Sequence, residues 1–310
     1  MKAELVAVDW GTSSFRLWLL DRRGRVHGES RSAEGMQHCA GAGFAPVLTA
    51  HLARTDADPD LPVLICGMAG ARQGWVEAPY ADLPAPVSTL AARALRLPDQ
   101  RPGELAGRDI RILPGLARQD SRGADVLRGE ETQLLGLALS GVEGLVCMPG
   151  THCKWARLSG GAVVDFQSYM TGELFALLSN QSILRHAMPE ARETDPDNPE
   201  FQQALDEAMA QPGRVFDALF PLRAGHLLGS VTQQATLSRL SGLLIGAEVG
   251  RQLATGGAEM TQVTLVGQSG LGPLYAAALE RGAVRVVHAD AEQATRQGLL
   301  AAAAEIWGWQ

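Results

Sequence analysis

Lysine is almost missing from this 310-residue chain: Lys2 and Lys154 are its only two, and the rest of its 27 basic residues are arginine. The one internal lysine falls inside a Gly-Thr turn, which marks that turn for attention. Positive charge is also short overall, with 34 acidic residues and a net charge of −7. That balance excludes the basic face a nucleic-acid surface needs. No apolar run approaches the ~20 residues that cross a bilayer. The opening MKAELVAVDW meets Asp9 before a signal-peptide core develops, so no export signal is expected. Four cysteines (Cys39, Cys66, Cys147, Cys153) make no CxxC pair and no disulfide framework, which points to a reducing, cytoplasmic setting. Cys147, His152 and Cys153 lack a second ligand pair, so a metal centre there is poorly supported. The P-loop pattern GxxxxGK[ST] is absent, and GQSGL has Leu271 where a GxSxG elbow needs its second glycine.

What is present is material for a large core. The chain is 46% hydrophobic and only 20% charged, and its length suggests about two domains. Residues 5–9 and 14–20 alternate as strands, DRRGR turns the chain at Gly24, and a third strand runs to Ser30. A helix is expected over 44–54. LPVLICGMAGARQGW (61–75) is a buried strand entering a Gly-rich loop, and 87–98 is in part helical. The Gly/Arg-rich stretch 113–133 is polar, and a helix follows from about Glu130 to Leu139. The opening order then returns in LVCMPGTHCKWARLSGGAVVDFQSYMTGEL (145–174): strand, Gly-Thr turn, strand, Gly-Gly turn, strand. VLICGMAGA likewise matches VTLVGQSGLG (263–272). Two halves with one order of elements imply a duplicated α/β unit. Further helices are expected over 172–186, 199–209, 232–253, 273–280 and 291–307, with 188–200 a polar surface connection.

A Gly-Thr turn with a strand on each side is no P-loop. Glycine lets backbone N–H groups point into one concavity, and Thr or Ser hydroxyls add donors. Two such hairpins could hold the phosphates of one nucleotide. This is the arrangement of the actin/hexokinase/Hsp70-type ATPases. DWGTSSFRLWL, PGTHCKWARL, RGEETQLLG, YMTGELFALL and GQSGLGPLYAAAL, in this order across nearly the whole chain, resemble the 2-dehydro-3-deoxygalactonokinase family.

The resemblance implies two actin-like, ribonuclease H-like α/β domains flanking a nucleotide cleft. The first spans 1–140 and the second 141–310, with helix 291–307 packing back on the first. It implies ATP and Mg²⁺ as cofactors and phosphorylation of the terminal C6 hydroxyl of 2-dehydro-3-deoxy-D-galactonate, with domain closure excluding water. Asp9 would hold Mg²⁺ through its water shell. Gly11, Thr12, Ser13, Gly150, Thr151 and Lys154 would meet the phosphates, the lysine as a point charge. The second turn lacks the acidic Gly-rich run of most relatives, so a second metal-supporting carboxylate is not expected. The base falls to Glu130, Glu131 or Asp125, Glu130 first, since a helix N-terminus keeps a carboxylate ionised. For the substrate carboxylate, Arg72, Arg16 and Arg128 are candidates. Ser168, Thr171 and Glu173 are candidate sugar contacts, with Thr171 otherwise an N-cap and Glu173 a first-turn charge. Gly267, Gly270 and Gly272 would let the backbone approach adenosine. Leu240, Leu243, Leu244 and Ala247 read as core, and the scattered histidines as surface or capping residues.

Other 3-deoxy-2-keto acid kinases fit the same residues. RGEETQ also resembles the glutamate segment of polyphosphate-type phosphohydrolases, whose second turn keeps the acidic run this chain lacks. A non-enzymatic nucleotide- or sugar-binding regulator is disfavoured by Asp9 and the paired glutamates. Small molecules are the expected partners, with no nucleic acid or membrane, and a homo-oligomer is compatible with the pattern.

Overall fold

The computed structural model describes residues 2–309 apart from 99–102, 192, 257–259 and 268–269. They divide into two compact units. One comprises Met1–Glu143, Ala156–Phe166 and Ala291–Gln310; the other comprises Gly144–Trp155 and Gln167–Asp290. The chain begins with β1 (Leu5–Trp10), β2 (Phe15–Leu20), β3 (Val26–Ser32), α1 (Met36–Ala42) and α2 (Phe44–Arg54). Next come β4 (Val63–Gly67), β5 (Tyr80–Asp82), β6 (Ala85–Pro86), α3 (Val87–Ala92), β7 (Leu95–Arg96) and β8 (Ile110–Ile112). A hairpin of β9 (Gly115–Asp120) and β10 (Gly123–Leu127) precedes α4 (Glu130–Leu139). Then follow β11 (Gly144–Met148), β12 (Cys153–Ser159), β13 (Ala162–Tyr169), α5 (Thr171–Asn180), α6 (Pro199–Ala210) and α7 (Val215–Leu227). The chain closes with α8 (Gln233–Gly256), β14 (Gln262–Val266), α9 (Gly272–Arg281), β15 (Arg285–Ala289) and α10 (Ala291–Trp307).

The sheets carry the duplication. One runs β3-β2-β1-β4-β8-β7 and the other β15-β14-β11-β12-β13-β6, while β10-β9-β5 form a small third sheet. In the first, β1, β2 and β3 form an antiparallel meander, with β4 and β8 parallel to β1. In the second, β14 and β15 are parallel to β11. Replacing β1, β2, β3, β4 and β8 by β11, β12, β13, β14 and β15 gives the same run of five strands in both sheets, with β7 and β6 added at opposite ends. The fold is therefore the mixed α/β, actin-like class.

Strands covered on both faces read as continuous apolar runs, and β1 and β4 do. Val6, Val8 and Trp10 join Val63 and Ile65 in a core with α2, through Val47, Leu48 and Leu52. The alternate residues Leu5, Ala7, Leu64 and Cys66 face Leu299, Ala302 and Ala303 of α10. Trp10 of the Asp-Trp-Gly run is fully buried, T-stacked on Phe15 at 4.7 Å, and donates its indole N–H to the Glu34 carbonyl.

Several expectations need correction. The polar stretch 113–133 contains the β9–β10 hairpin. Its side chains are charged because Arg118 and Arg122 pair with Asp120 and Asp165 rather than filling a core. Helix α7 escaped notice because Pro221 lies inside it and its apolar residues are not confined to one face; Phe216 and Phe220 are exposed. The helix expected over 172–186 stops at Asn180, where the Ser182 hydroxyl caps a separate turn at Ile183–Ala187. His51 is buried, not superficial, hydrogen-bonded to Ser30, Ser32 and Glu34 and stacked on Phe15 at 4.2 Å. Among the described residues, no helix is long and apolar enough to cross a membrane.

Helix α10 lies against α4 at two glycines. A Cβ on Gly136 would collide with the Ala294 carbonyl, and one on Gly298 with the Thr132 carbonyl. Backbone cannot yield as a flexible side chain can, so only glycine permits this approach. Gly298→Ala is expected to lower unfolding free energy by about 1–3 kcal/mol or more, read by urea titration.

Candidate active site

The first turn leaves β1 at Asp9 and enters β2 at Phe15. Gly11 N–H bonds the Ser14 carbonyl at 2.8 Å, while the Gly11 and Thr12 carbonyls accept N–H groups of Met36 and Gln37 at the start of α1. The turn is thus held by its carbonyls. The amides and hydroxyls of Thr12 and Ser13, both exposed, have no hydrogen-bond partner among the described residues. Asp9 stands opposite Arg16 in the β1–β2 register and bonds it at 3.1 Å. Burial raises the Asp9 carboxyl above the usual carboxylate range; Arg16 opposes this, and the charges of Glu130 and Glu292 add to it. Arg16 also lies 3.6 Å from Glu292, so its guanidinium is occupied by two acids of its own chain.

The start of α4 lies beside the strand ends: a Cβ on Gly129 would come 3.5 Å from the Gly67 Cα, and Gly67 pairs with Trp10. The Glu130 carboxylate is partly buried and accepts the Arg128 N–H at 3.2 Å. Glu131 is fully buried and turned back on its own helix start, accepting the Gly129 N–H and, at 2.9 Å, the Thr132 hydroxyl. Burial and the neighbouring Glu130 push its carboxyl up to about 7. Asp125 sits on β10 with Arg118 Nη2 at 3.7 Å. The three acids are therefore not equivalent: Glu130 is the one neither enclosed by its own helix nor set into the hairpin.

Arg72 is exposed in the loop after β4 and forms no hydrogen bond or ion pair among the described residues. Arg128 is instead built into that loop. It donates to the Ala78 carbonyl at 2.7 Å, lies over the Tyr80 ring at 4.5 Å, and keeps Nε and Nη1 buried without a partner.

The second turn, Met148 to His152, joins β11 to β12. Gly172, at the start of α5, packs so closely on the Gly150 carbonyl that no Cβ fits, and the Glu173 N–H bonds the Thr151 carbonyl at 2.9 Å. His152 bonds the Glu173 carboxylate. Lys154 is buried, not solvent-facing, and its Nζ donates to the His152 carbonyl at 2.9 Å. Thr171 is not an N-cap: Met170 holds that position, and the Thr171 hydroxyl goes to Glu248. Ser168 lies near the end of β13. Cys147 and Cys153 bring their sulfurs to 3.8 Å, both buried. Among the described residues, no group of three His, Cys, Asp or Glu gathers as a metal site.

A cavity of about 570 Å³ opens wholly within the second unit. Thr151, Thr171 and Gly172 line one side, Gly270, Leu274 and Tyr275 another, and Ser241, Leu244 and Ile245 of α8 a third. Gly267 and Gly270 have φ of +93° and +64°, and Gly272 packs on the Gly267 carbonyl. Gln268 and Ser269 of this Gly-rich loop lie outside the described residues. Phe175 and Tyr275 lie within YMTGELFALL and GQSGLGPLYAAAL without being singled out there, and Glu193 and Ser241 come from distant elements with no shared motif. Of the apolar stripe, Leu240 and Leu243 are core, but Leu244 also lines the cavity.

The family model described as 2-keto-3-deoxy-galactonokinase matches residues 9–302. A curated protein of Rhizobium meliloti (strain 1021), named probable 2-dehydro-3-deoxygalactonokinase, is 48% identical over 303 residues, 97% of each chain. The 2-dehydro-3-deoxygalactonokinase of Escherichia coli (strain K12) is 36% identical over 250 residues, 80% of each. A crystal structure of a Sinorhizobium meliloti protein bearing the same enzyme name has a TM-score of 0.91 at 48% identity, covering 98% of this chain and 99% of that one.

The buried Glu131 gives stability a pH dependence. Its folded-state value of about 7 lies above the ordinary 4.5, so the folded state holds the proton more tightly. That stabilisation is complete below the unfolded value and is lost as pH rises through 7. Between pH 5 and 8 the chain is expected to lose on the order of 2 kcal/mol more than Glu131→Gln. Parallel urea-unfolding profiles for the two proteins would contradict this.

Proposed function

The chain belongs to the 2-keto-3-deoxy-galactonokinase family and is a sugar-acid kinase, and we propose that it transfers the γ-phosphate of Mg-ATP to the C6 hydroxyl of 2-dehydro-3-deoxy-D-galactonate. The observation that carries the residue assignment is the start of α4, with Glu130, set beside the paired ends of β1 and β4 next to a turn whose Thr12 and Ser13 donors are unused. A Ser/Thr turn with unsatisfied N–H groups fits phosphate oxygens. The cavity of the second unit, of a size that encloses small ligands, fits a nucleoside between apolar walls and hydroxyls.

Bound Mg-ATP supplies the transferable phosphoryl group and a divalent charge over its oxygens. Asp9 fits a hard cation held largely through water, and Arg16 keeps that carboxylate oriented. Thr12 and Ser13 donate to phosphate oxygens, and Gly11 keeps the turn open to them. Thr151 offers its hydroxyl from the second turn beside Gly150, with the Lys154 charge beneath. Gly270, Leu274 and Tyr275 receive the nucleoside. Arg72, with no partner of its own, takes the substrate carboxylate as a bidentate donor. Glu130 accepts the proton of the attacking hydroxyl. The Thr171 and Glu173 side chains are engaged by Glu248 and His152, which leaves the substrate carboxylate to Arg72. The four thiols, none in a disulfide, suit a cytoplasmic enzyme.

The test is ADP release with a panel of 3-deoxy-2-keto acids, including the galacto and gluco epimers. Release is expected to require the acid; equal release without it would favour a phosphohydrolase. Glu130→Gln is expected to lower kcat by roughly 10²–10⁴ with the KM for ATP little changed. Unchanged turnover would move the base to a neighbour. Arg72→Ala is expected to raise the KM for the sugar acid about tenfold, leaving that for ATP alone.

A further inference from the structure

One buried carboxylate in the second unit has no part in the chemistry above. Glu248, in the middle of α8, is 3% exposed and accepts three hydrogen bonds: from Trp155 Nε1 at 2.7 Å, from the Tyr275 hydroxyl at 2.8 Å, and from the Thr171 hydroxyl. All three of these donors are neutral. Burying a carboxylate on neutral donors is costly compared with an apolar side chain of similar volume. What it provides is acceptor capacity, since its two oxygens can serve several donors at once.

The three donors come from separate elements around one cavity. Trp155 lies on β12, just past the second turn. Thr171 opens α5, whose next two residues touch Gly150 and Thr151 of that turn, Gly172 by close packing and Glu173 through its N–H at 2.9 Å. Tyr275 lies on α9, which starts at the Gly-rich loop after β14. Thr171 and Tyr275 both line the cavity, as do Ser241, Leu244 and Ile245 earlier on α8 itself. Burial pushes the Tyr275 phenol well above its ordinary range, so it remains a protonated donor.

We propose that Glu248 is a positioning residue for the nucleotide, its carboxylate tying the phosphate-side helix α5 and the nucleoside-side helix α9 to one point on α8. The inference rests on the reading of this cavity as the ATP site. Phosphates at Thr151 and a nucleoside beside Tyr275 must be received at a set spacing, and Glu248 holds both walls to it. Without the carboxylate, α5 and α9 lose their shared anchor and the spacing relaxes. The sugar-acid groups placed in the first unit, Arg72 and Glu130, are untouched.

The experiment measures both KM values on the full chain. Glu248→Leu is expected to raise the KM for ATP about tenfold or more, with that for the sugar acid within about twofold. Glu248→Gln can accept from Trp155 and donate to the two hydroxyls, so it is expected to restore most of the affinity. Tyr275→Phe is expected to raise the KM for ATP about threefold on its own, and to add nothing in the Glu248→Leu background. An unchanged KM for ATP in folded Glu248→Leu, or equal rises in both KM values, overturns the proposal. If Glu248→Leu does not fold, Tyr275→Phe decides, and a wild-type KM there overturns it. Failure of the wild-type protein to saturate with ATP overturns the nucleotide reading together with this inference; saturation with unresponsive variants overturns this inference alone.

Discussion

The pairing of β1 with β4, buried on both faces, sets where charge can appear in the first unit. Leu5 to Val8 and Val63 to Cys66 have no exposure, so an ionisable group is tolerable only where the strands run out. Asp9 occupies that place, opposite Cys66 on one side and Arg16 on the other. The antiparallel partner provides the counter-charge, which lets a carboxylate persist at the edge of an apolar layer. The turn must then form between Trp10 and Phe15, the last pair of the register. Its Gly11 and Thr12 carbonyls are taken by α1, and its amides at Thr12 and Ser13 have no acceptor among the described residues. The geometry of this turn follows from strand burial and register more than from any one side chain.

The second unit meets the same constraint by other means. β11 ends without an acid, and the charged residues around its turn include Glu173, bonded to His152, Lys154, which donates to a carbonyl of the turn, and Glu248, drawn in from a helix by three neutral donors. Two copies of one strand order have thus been equipped differently. The first carries Asp9, Glu130 and Arg72, while the second carries a cavity lined by hydroxyls and a tyrosine. A division of labour between phosphoryl-transfer groups and nucleoside-binding groups fits that asymmetry.

The legible part of the site consists of segments whose chemistry is local. DWGTSS, PGTHCK and the glutamate pair at 130–131 each announce a turn or a helix start within a few residues, and each lies on such a feature. Partners that arrive from far along the chain were not legible. Thr171 looked like a helix cap because Thr commonly caps helices, but Glu248, on a helix far along the chain, claims its hydroxyl. Arg16 and Arg128 stood behind Arg72 as candidates, and only folding commits them to Glu292 and to the loop at Ala78 and Tyr80. The β9–β10 hairpin was hidden because Arg118, Asp120, Arg122 and Asp125 break the apolar alternation, leaving only Val126–Ala117 and Leu127–Leu116 as apolar cross-strand pairs.

The order of elements, the internal duplication and the family were decided by local pattern: alternation, helical period, glycine at turns, and short motifs in a constant sequence. Those depend on neighbours a few residues apart, and the chain itself records them. The choice of which acid is enclosed and which is open, which arginine is free, and which residues wall the cavity was made only by folding. Burial and hydrogen bonding are properties of groups brought together across long separations, so they exist only once the layers have packed.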